Sequence, residues 1–271
     1  MRNAFLVGVV LCGAPASRPP PAQDSAVAYA ARQLQCARFQ ENGESDIQTE
    51  SAGRVRNQTS ERRGLWQFRA APSNAGIALE AWLDSLTVTR QSAEAVISPD
   101  TDGLLGGRYR GTLSTTGRYT GQVRPFIPDE VAEVAGMAAA LDDFFPLLPP
   151  AQLRVGQTWS DAKGLTIRRL PDSSLSGLPL FRFELERRVE TRVSGRLGDT
   201  LAVPRRQVSE EHGSFVWHPV LGLVRRDRRI VVLTSVPASR TVPQPVRSKV
   251  EQQISVTRDL SGDPTICKPS S

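Results

Sequence analysis

Histidine is nearly missing from this chain: His212 and His218 are the only two in 271 residues. Six residues of extended strand separate them by roughly 20 Å. Zinc ligands sit about 2 Å from the ion. The pair, with Glu210 on the same face by parity, therefore cannot share a metal unless Gly213 bends the chain sharply. A polar strand face with Phe215 and Trp217 turned inward is the expectation. Lysine is as scarce, with Lys163, Lys249 and Lys268 alone. Neither G-x-S-x-G nor H-E-x-x-H occurs, so the common serine-hydrolase elbow and zinc-protease helix are excluded. No apolar run reaches the 20 or so residues of a spanning helix. Cysteine is limited to Cys12, Cys36 and Cys267.

Short motifs fail when tested against their chemistry. Ser160-Asp161-Ala162-Lys163 fits S-x-x-K, a nucleophile motif that needs the serine at a helix start with the lysine one turn later. Its flanks read as strands and no K-T-G partner exists. A hydrolase built from Ser160, Asp161, Lys163, Glu210 and His212 would require at least two of them within hydrogen-bond reach in a cleft. Asp100-Thr101-Asp102-Gly103 opens like a calcium loop, but the twelfth position, where a glutamate belongs, is Gly111. Gly103, Gly106, Gly107 and Gly111 match no phosphate-binding spacing and suit bulges in a curved sheet. Asp142 and Asp143 read as a solvated helix end. No catalytic, cofactor-binding or metal-binding residue is assigned, no cofactor is expected, and a non-enzymatic role follows as the expectation.

What is present is arginine. Of 34 basic residues all but the three lysines are arginines, and the net charge is +6. A GC-rich genome is one reading; recognition of phosphate or carboxylate by planar guanidinium groups is the other. The densest run is Arg225-Arg226-Asp227-Arg228-Arg229. It reads as a charged strand edge, or as an anionic-surface contact through Arg225, Arg226, Arg228 and Arg229.

The N-terminus has the outline of a secretory signal. Arg2 is basic, Ala4–Leu11 is a short apolar run, and Ala14-Pro15-Ala16 offers small residues at a cleavage site, with a second site after Ala22. Residues 1–22 are expected to be this signal, and 23–271 a single β-rich domain of two similar halves joined near 129–145. Cys12 invites lipidation, but Leu11 precedes it where a small residue is usual. Export, to the periplasm or beyond, favours a Cys36–Cys267 disulfide over two free thiols. Chain-entropy arguments give such a long loop about 5 kcal/mol as an upper figure. Export also disfavours nucleic acid as a partner, and no transmembrane segment is expected in the mature chain.

Hydrophobic periodicity points to a mainly β, α+β chain. A helix is expected over Ser25–Phe39, with Asp24 or Ser25 as cap and a stripe of Val27, Ala30, Ala31, Leu34 and Ala37. A second is expected from Pro128 through Leu141, ending at Phe144–Pro146. Thr49–Thr59 reads as a hairpin turning near Gly53, and Ile77–Arg90 as a long strand. Leu180–Val189 alternates cleanly, Phe181, Phe183, Leu185 and Val189 opposing Arg182, Glu184, Glu186 and Arg188. One apolar and one charged face define an antiparallel sheet with one wet side.

Phe145-Pro146-Leu147-Leu148-Pro149-Pro150 followed by Val155-Gly156-Gln157-Thr158-Trp159 resembles an F-P-x-L-P…V-G-x-T-W pattern of uncharacterised exported bacterial β-rich proteins. It covers about 15 residues and carries no catalytic residue. The expected architecture is a strongly curved antiparallel sheet or half-barrel, with both helices on its concave face. That arrangement is similar to periplasmic lipoprotein carriers, by analogy of architecture alone. It implies a bound lipophilic or amphiphilic ligand, or an envelope component as partner. A structural or assembly role in the envelope, on anionic surfaces or another protein, is the alternative.

Overall fold

The computed structural model describes residues 27–175, 177–197, 201–238 and 242–261. The expected signal peptide, the caps Asp24 and Ser25, Cys12 and Cys267 lie outside them.

Among the described residues twelve strands form one open antiparallel sheet. The first group is β1 (Arg38–Ser51), β2 (Arg54–Ser73), β3 (Gly76–Ser92), β4 (Val96–Ile97), β5 (Tyr109–Leu113) and β6 (Tyr119–Val123). The second is β7 (Thr158–Ser160), β8 (Leu165–Leu175), β9 (Leu178–Leu197), β10 (Leu201–His218), β11 (Gly222–Val236) and β12 (Val246–Arg258). The order across the sheet is β6-β5-β3-β2-β1-β12-β11-β10-β9-β8-β7, with the short β4 beside β3. The two groups meet at the β1–β12 pair, where Phe39 faces Arg258 and Ser51 faces Val246.

This order places β6 and β7 at opposite edges. The chain between them must cross ten strand spacings, about 48 Å along the sheet. It crosses over one face, here called inner, and so becomes the cover of the core. Val131, Met137, Leu141, Phe144, Phe145 and Leu148 enter that core from the crossing segment. Met137, Leu141, Phe144, Phe145 and Leu148 keep helical spacing, yet the long helix expected over 128–141 does not form. A six-residue helix α2 (Asp129–Val134) is followed by extended Ala135 and a single 3-10 turn, Met137–Ala139. Long-range contacts of the crossing segment, such as Tyr109 Oη to Met137 O and Leu148 N–H to Thr116 O, outweigh the propensity of an alanine-rich stretch.

The N-terminal helix is also shorter than expected. It is α1 (Ala31–Leu34), and β1 begins at Arg38. Cys36 takes a left-handed φ of 58°, which ends the helix. The apolar stripe docks in another way. Tyr29 N–H donates to Thr115 O, and Gln35 Oε1 accepts from Ala70 N–H. Tyr29 and Leu34 are buried in the core.

The hairpin expected near Gly53 is present: Ala52 (φ 56°) and Gly53 (φ 70°) form the two-residue turn between β1 and β2. Positive φ at both positions matches the twist of the strands. Phe183 and Leu185 are buried as their alternation requires, and Phe183 stacks on Phe215 at 4.6 Å. The F-P-x-L-P stretch locks the cover. Pro146 O accepts from Tyr29 Oη, and Leu148 N–H donates to Thr116 O. A Cβ on Gly117 (φ +91°) would lie 2.3 Å from Pro146 O, so only glycine lets these backbones meet.

Candidate functional site

Period-2 alternation decides where each charged strand residue points. In β11 it splits the basic run. Arg226 and Arg228 turn inward and are buried, while Arg225 and Arg229 face out. Outside, Arg225 pairs with Asp227 at 2.8 Å and Arg229 with Glu251 at 2.7 Å. The four arginines are therefore not one surface patch, which corrects the expectation of a single contact.

The inward pair meets Glu211 of β10 and Asp143 of the cover, and a second ion pair, Arg62–Glu41, lies beyond β12. Glu211 of β10 accepts from Arg228 Nε at 2.6 Å and from Arg187 Nη2 of β9 at 2.6 Å, with Arg226 Nη2 at 4.0 Å. Arg226 Nη1 also donates to the carbonyl of Asp143 on the cover, and Asp143 Oδ2 lies 3.2 Å from Arg228. On the other side of β12, Glu41 of β1 takes Arg62 Nη2 of β2 at 2.5 Å and Trp66 Nε1 at 2.7 Å. Four guanidinium groups (Arg62, Arg187, Arg226, Arg228) thus meet three carboxylates (Glu41, Glu211, Asp143). One positive charge is in excess. Burial, with Arg228 beside it, brings the Arg226 guanidinium down to about 10. Burial likewise pushes the nearby Tyr29 phenol well up.

Between sheet and cover lies a cavity of about 220 Å³. Arg62, Arg226, Arg228 and Glu41 supply its polar wall; Ala139, Ala140, Phe144, Ile230, Ile254 and Val256 supply the apolar one. Arg226 Nε and Arg62 Nε are buried and have no hydrogen-bond partner among the described residues. Buried donors without acceptors are uncommon in native interiors. A smaller space of about 180 Å³ lies on the far side of Arg226, bordered by Arg187, Glu211, Asp161 and Lys163.

The hydrolase candidates do not converge. Ser160 Oγ pairs with Thr166 Oγ1 at 3.0 Å on an exposed edge. Asp161 Oδ1 caps its own turn, accepting from Lys163 and Leu165 N–H. His212 stands on the outer face 3.8 Å from Glu186, and Glu210 pairs with Arg188 at 3.0 Å. Among the described residues no side chain of the five bonds to the side chain of another. His212 borders an open polar trough of about 760 Å³ on that outer face. Asp100 accepts Asp102 N–H in a turn that leads into a 3-10 turn, Asp102–Leu104. Asp142 faces Arg124 at 3.5 Å.

His218 lies past a bulge at Val216/Trp217 and is buried, unlike His212. Its Nδ1 accepts from Val220 and Leu221 N–H, both at 3.1 Å. Burial and then Arg258 hold it below its ordinary 6.5. A depressed folded-state value contributes stability above pH 6.5 that is lost as pH falls through the folded value. Chemical denaturation between pH 7.5 and 5 should show stability falling with pH. His218→Gln should flatten that dependence, and an unchanged slope would refute the assignment.

Glu211, Glu41 and Arg62 were absent from the sequence-derived candidates. The signal was a charge sharing the inward parity of Phe215 on β10, as Glu211 does.

Fold and site together define an open, one-sheet antiparallel β protein with a charged cavity under its cover. No protein family matches the sequence, and no curated protein does. Among solved structures the chain is similar to a DUF1329 family protein from Desulfovibrio piger. The identity is 9% over 88% of this chain and 91% of that one, with a TM-score of 0.16. At that score the likeness carries no argument.

Proposed function

We propose that this chain is a non-enzymatic, exported envelope protein that binds an amphiphile under the cover of its sheet. The observation behind this reading is the pair of buried guanidinium Nε groups without acceptors, Arg226 and Arg62, bordering one cavity. An anionic head group there would accept from both and neutralise the excess charge. The tail would follow Ile254 and Ile230, then the half-buried Val232, Val250 and Ile47, which stand in register on the uncovered part of the inner face. The core under the cover is closely packed, so the ligand occupies the charged cavity and the open strip beyond it. On this reading the curved sheet acts as a half-barrel. Residues 1–22 are removed on export, and Cys36 pairs with Cys267.

Native mass spectrometry of protein taken gently from the periplasm tests the reading. An added mass that disappears on solvent extraction is expected. The protein itself should weigh less than its reduced form by the two hydrogens of the disulfide. Arg226→Met should weaken binding of a long-chain fatty acid by roughly 10- to 100-fold, the loss of a charged hydrogen bond. Arg225→Met, on the outer face, should leave it unchanged. A bare mass together with no binding of added fatty acid would refute the proposal.

A further inference from the structure

Six strands, β2, β1, β12, β11, β10 and β9, run on past the core. Every residue they contribute to the main core, such as Phe39, Trp66, Phe183 and Phe215, lies at the end away from the β1–β2 turn, and Val236 packs with Val242 and Val246 in a small separate cluster nearer that turn. From Gly43 to Ser51 the extension is about 27 Å at strand rise. The register brings the β1–β2 turn and the ends of β9, β10, β11 and β12 to one end of the sheet.

That end carries the charge of the molecule. Among the described residues, 47–58, 190–197, 201–206, 232–238 and 242–249 hold eight basic and two acidic residues, a balance of +6 that equals the net charge of the whole chain. The rest of the chain balances to zero. Arg54, Arg56, Arg192, Arg206, Arg247 and Lys249 are exposed there. Arg206 is held by Glu190 and Lys249 by Glu251, but the acids are too few to neutralise the rest. Apolar side chains stand among these cations. Val55 is 55% and Leu233 47% exposed on the outer face, at a groove of about 440 Å³ whose floor includes Val208.

We propose that this end of the sheet docks on an anionic phospholipid bilayer. Cationic groups find lipid phosphates at the surface, and apolar groups placed among them enter the headgroup boundary. A soluble polyanion would match the charge and leave Val55 and Leu233 without a role. The inference stands on surface charge and does not rest on the cavity ligand.

Sedimentation with phosphatidylcholine vesicles, with and without phosphatidylglycerol, provides the test. Binding is expected only with phosphatidylglycerol, and it should weaken as salt is raised. The triple variant Arg54→Glu, Arg56→Glu, Arg247→Glu should bind roughly 100-fold more weakly. Leu233→Ser should weaken binding and keep the same salt dependence. These sites are exposed, so melting temperatures should match the parent and exclude misfolding. Arg226→Met should bind vesicles normally, separating this proposal from the preceding one. Binding indifferent to lipid charge, or a triple variant that binds like the parent, would overturn the proposal. So would capture by soluble polyphosphate with no effect of Leu233→Ser, which would mark a general polyanion site.

Discussion

Glu211→Ala should lower the melting temperature by roughly 10 °C or more. Glu211 is the carboxylate that Arg187, Arg226 and Arg228 share, and it is buried with the last two. Removing one partner of a buried ion pair costs about 3–5 kcal/mol, because the remaining charge stays desolvated. In a domain of this size each kcal/mol moves the melting point by about 2–4 °C. Asp143 reaches only Arg228 with its carboxylate, so it does not replace Glu211. The converse sharpens the test. Glu211→Leu combined with Arg226→Met and Arg228→Met removes the charges together and should recover most of the loss. Thermal unfolding by circular dichroism reads both. If Glu211→Ala melts within about 2 °C of the parent, the cluster is solvated and the account of it fails.

Phe144→Ala should cost about 3–5 kcal/mol as well, by another mechanism. Phe144 comes from the crossing segment, and its ring meets Phe39, Trp66, Phe68 and Phe145 at centroid distances of 5.1–6.0 Å. Truncation leaves a void among rigid rings that cannot collapse into it. Phe144 also borders the charged cavity. Hydrogen exchange should therefore rise first across residues 129–148, before the central strands exchange. Uniform acceleration over the whole sheet would show that cover and sheet open as one unit.

The strands were legible because their signals are local. Alternation over Leu180–Val189 places Phe183 and Leu185 inside without reference to any other element. The turn at Gly53 follows from backbone permissiveness. The same rule, carried one step further, splits Arg225–Arg229 into two faces. Read as a run, those arginines suggested one patch; read at period 2, they separate into a buried pair and an exposed pair. The helices were legible only in part. Ala31–Leu34 and Asp129–Val134 form where expected, but their continuations give way to contacts that the sequence does not display. Tyr29 meets Thr115 and Pro146, and Met137 meets Arg62, each across dozens of residues.

By itself the sequence determined that this is a β protein with one wet and one dry face, since side-chain alternation is a property of the extended backbone. Only the tertiary structure decided that β1 lies beside β12, that β6 and β7 end on opposite edges, and that the chain between them must therefore cross the inner face. Those pairings join residues some 200 positions apart. They create what no local pattern contains: a cavity between Arg62 and Arg226, and one end of the sheet that carries the whole net charge.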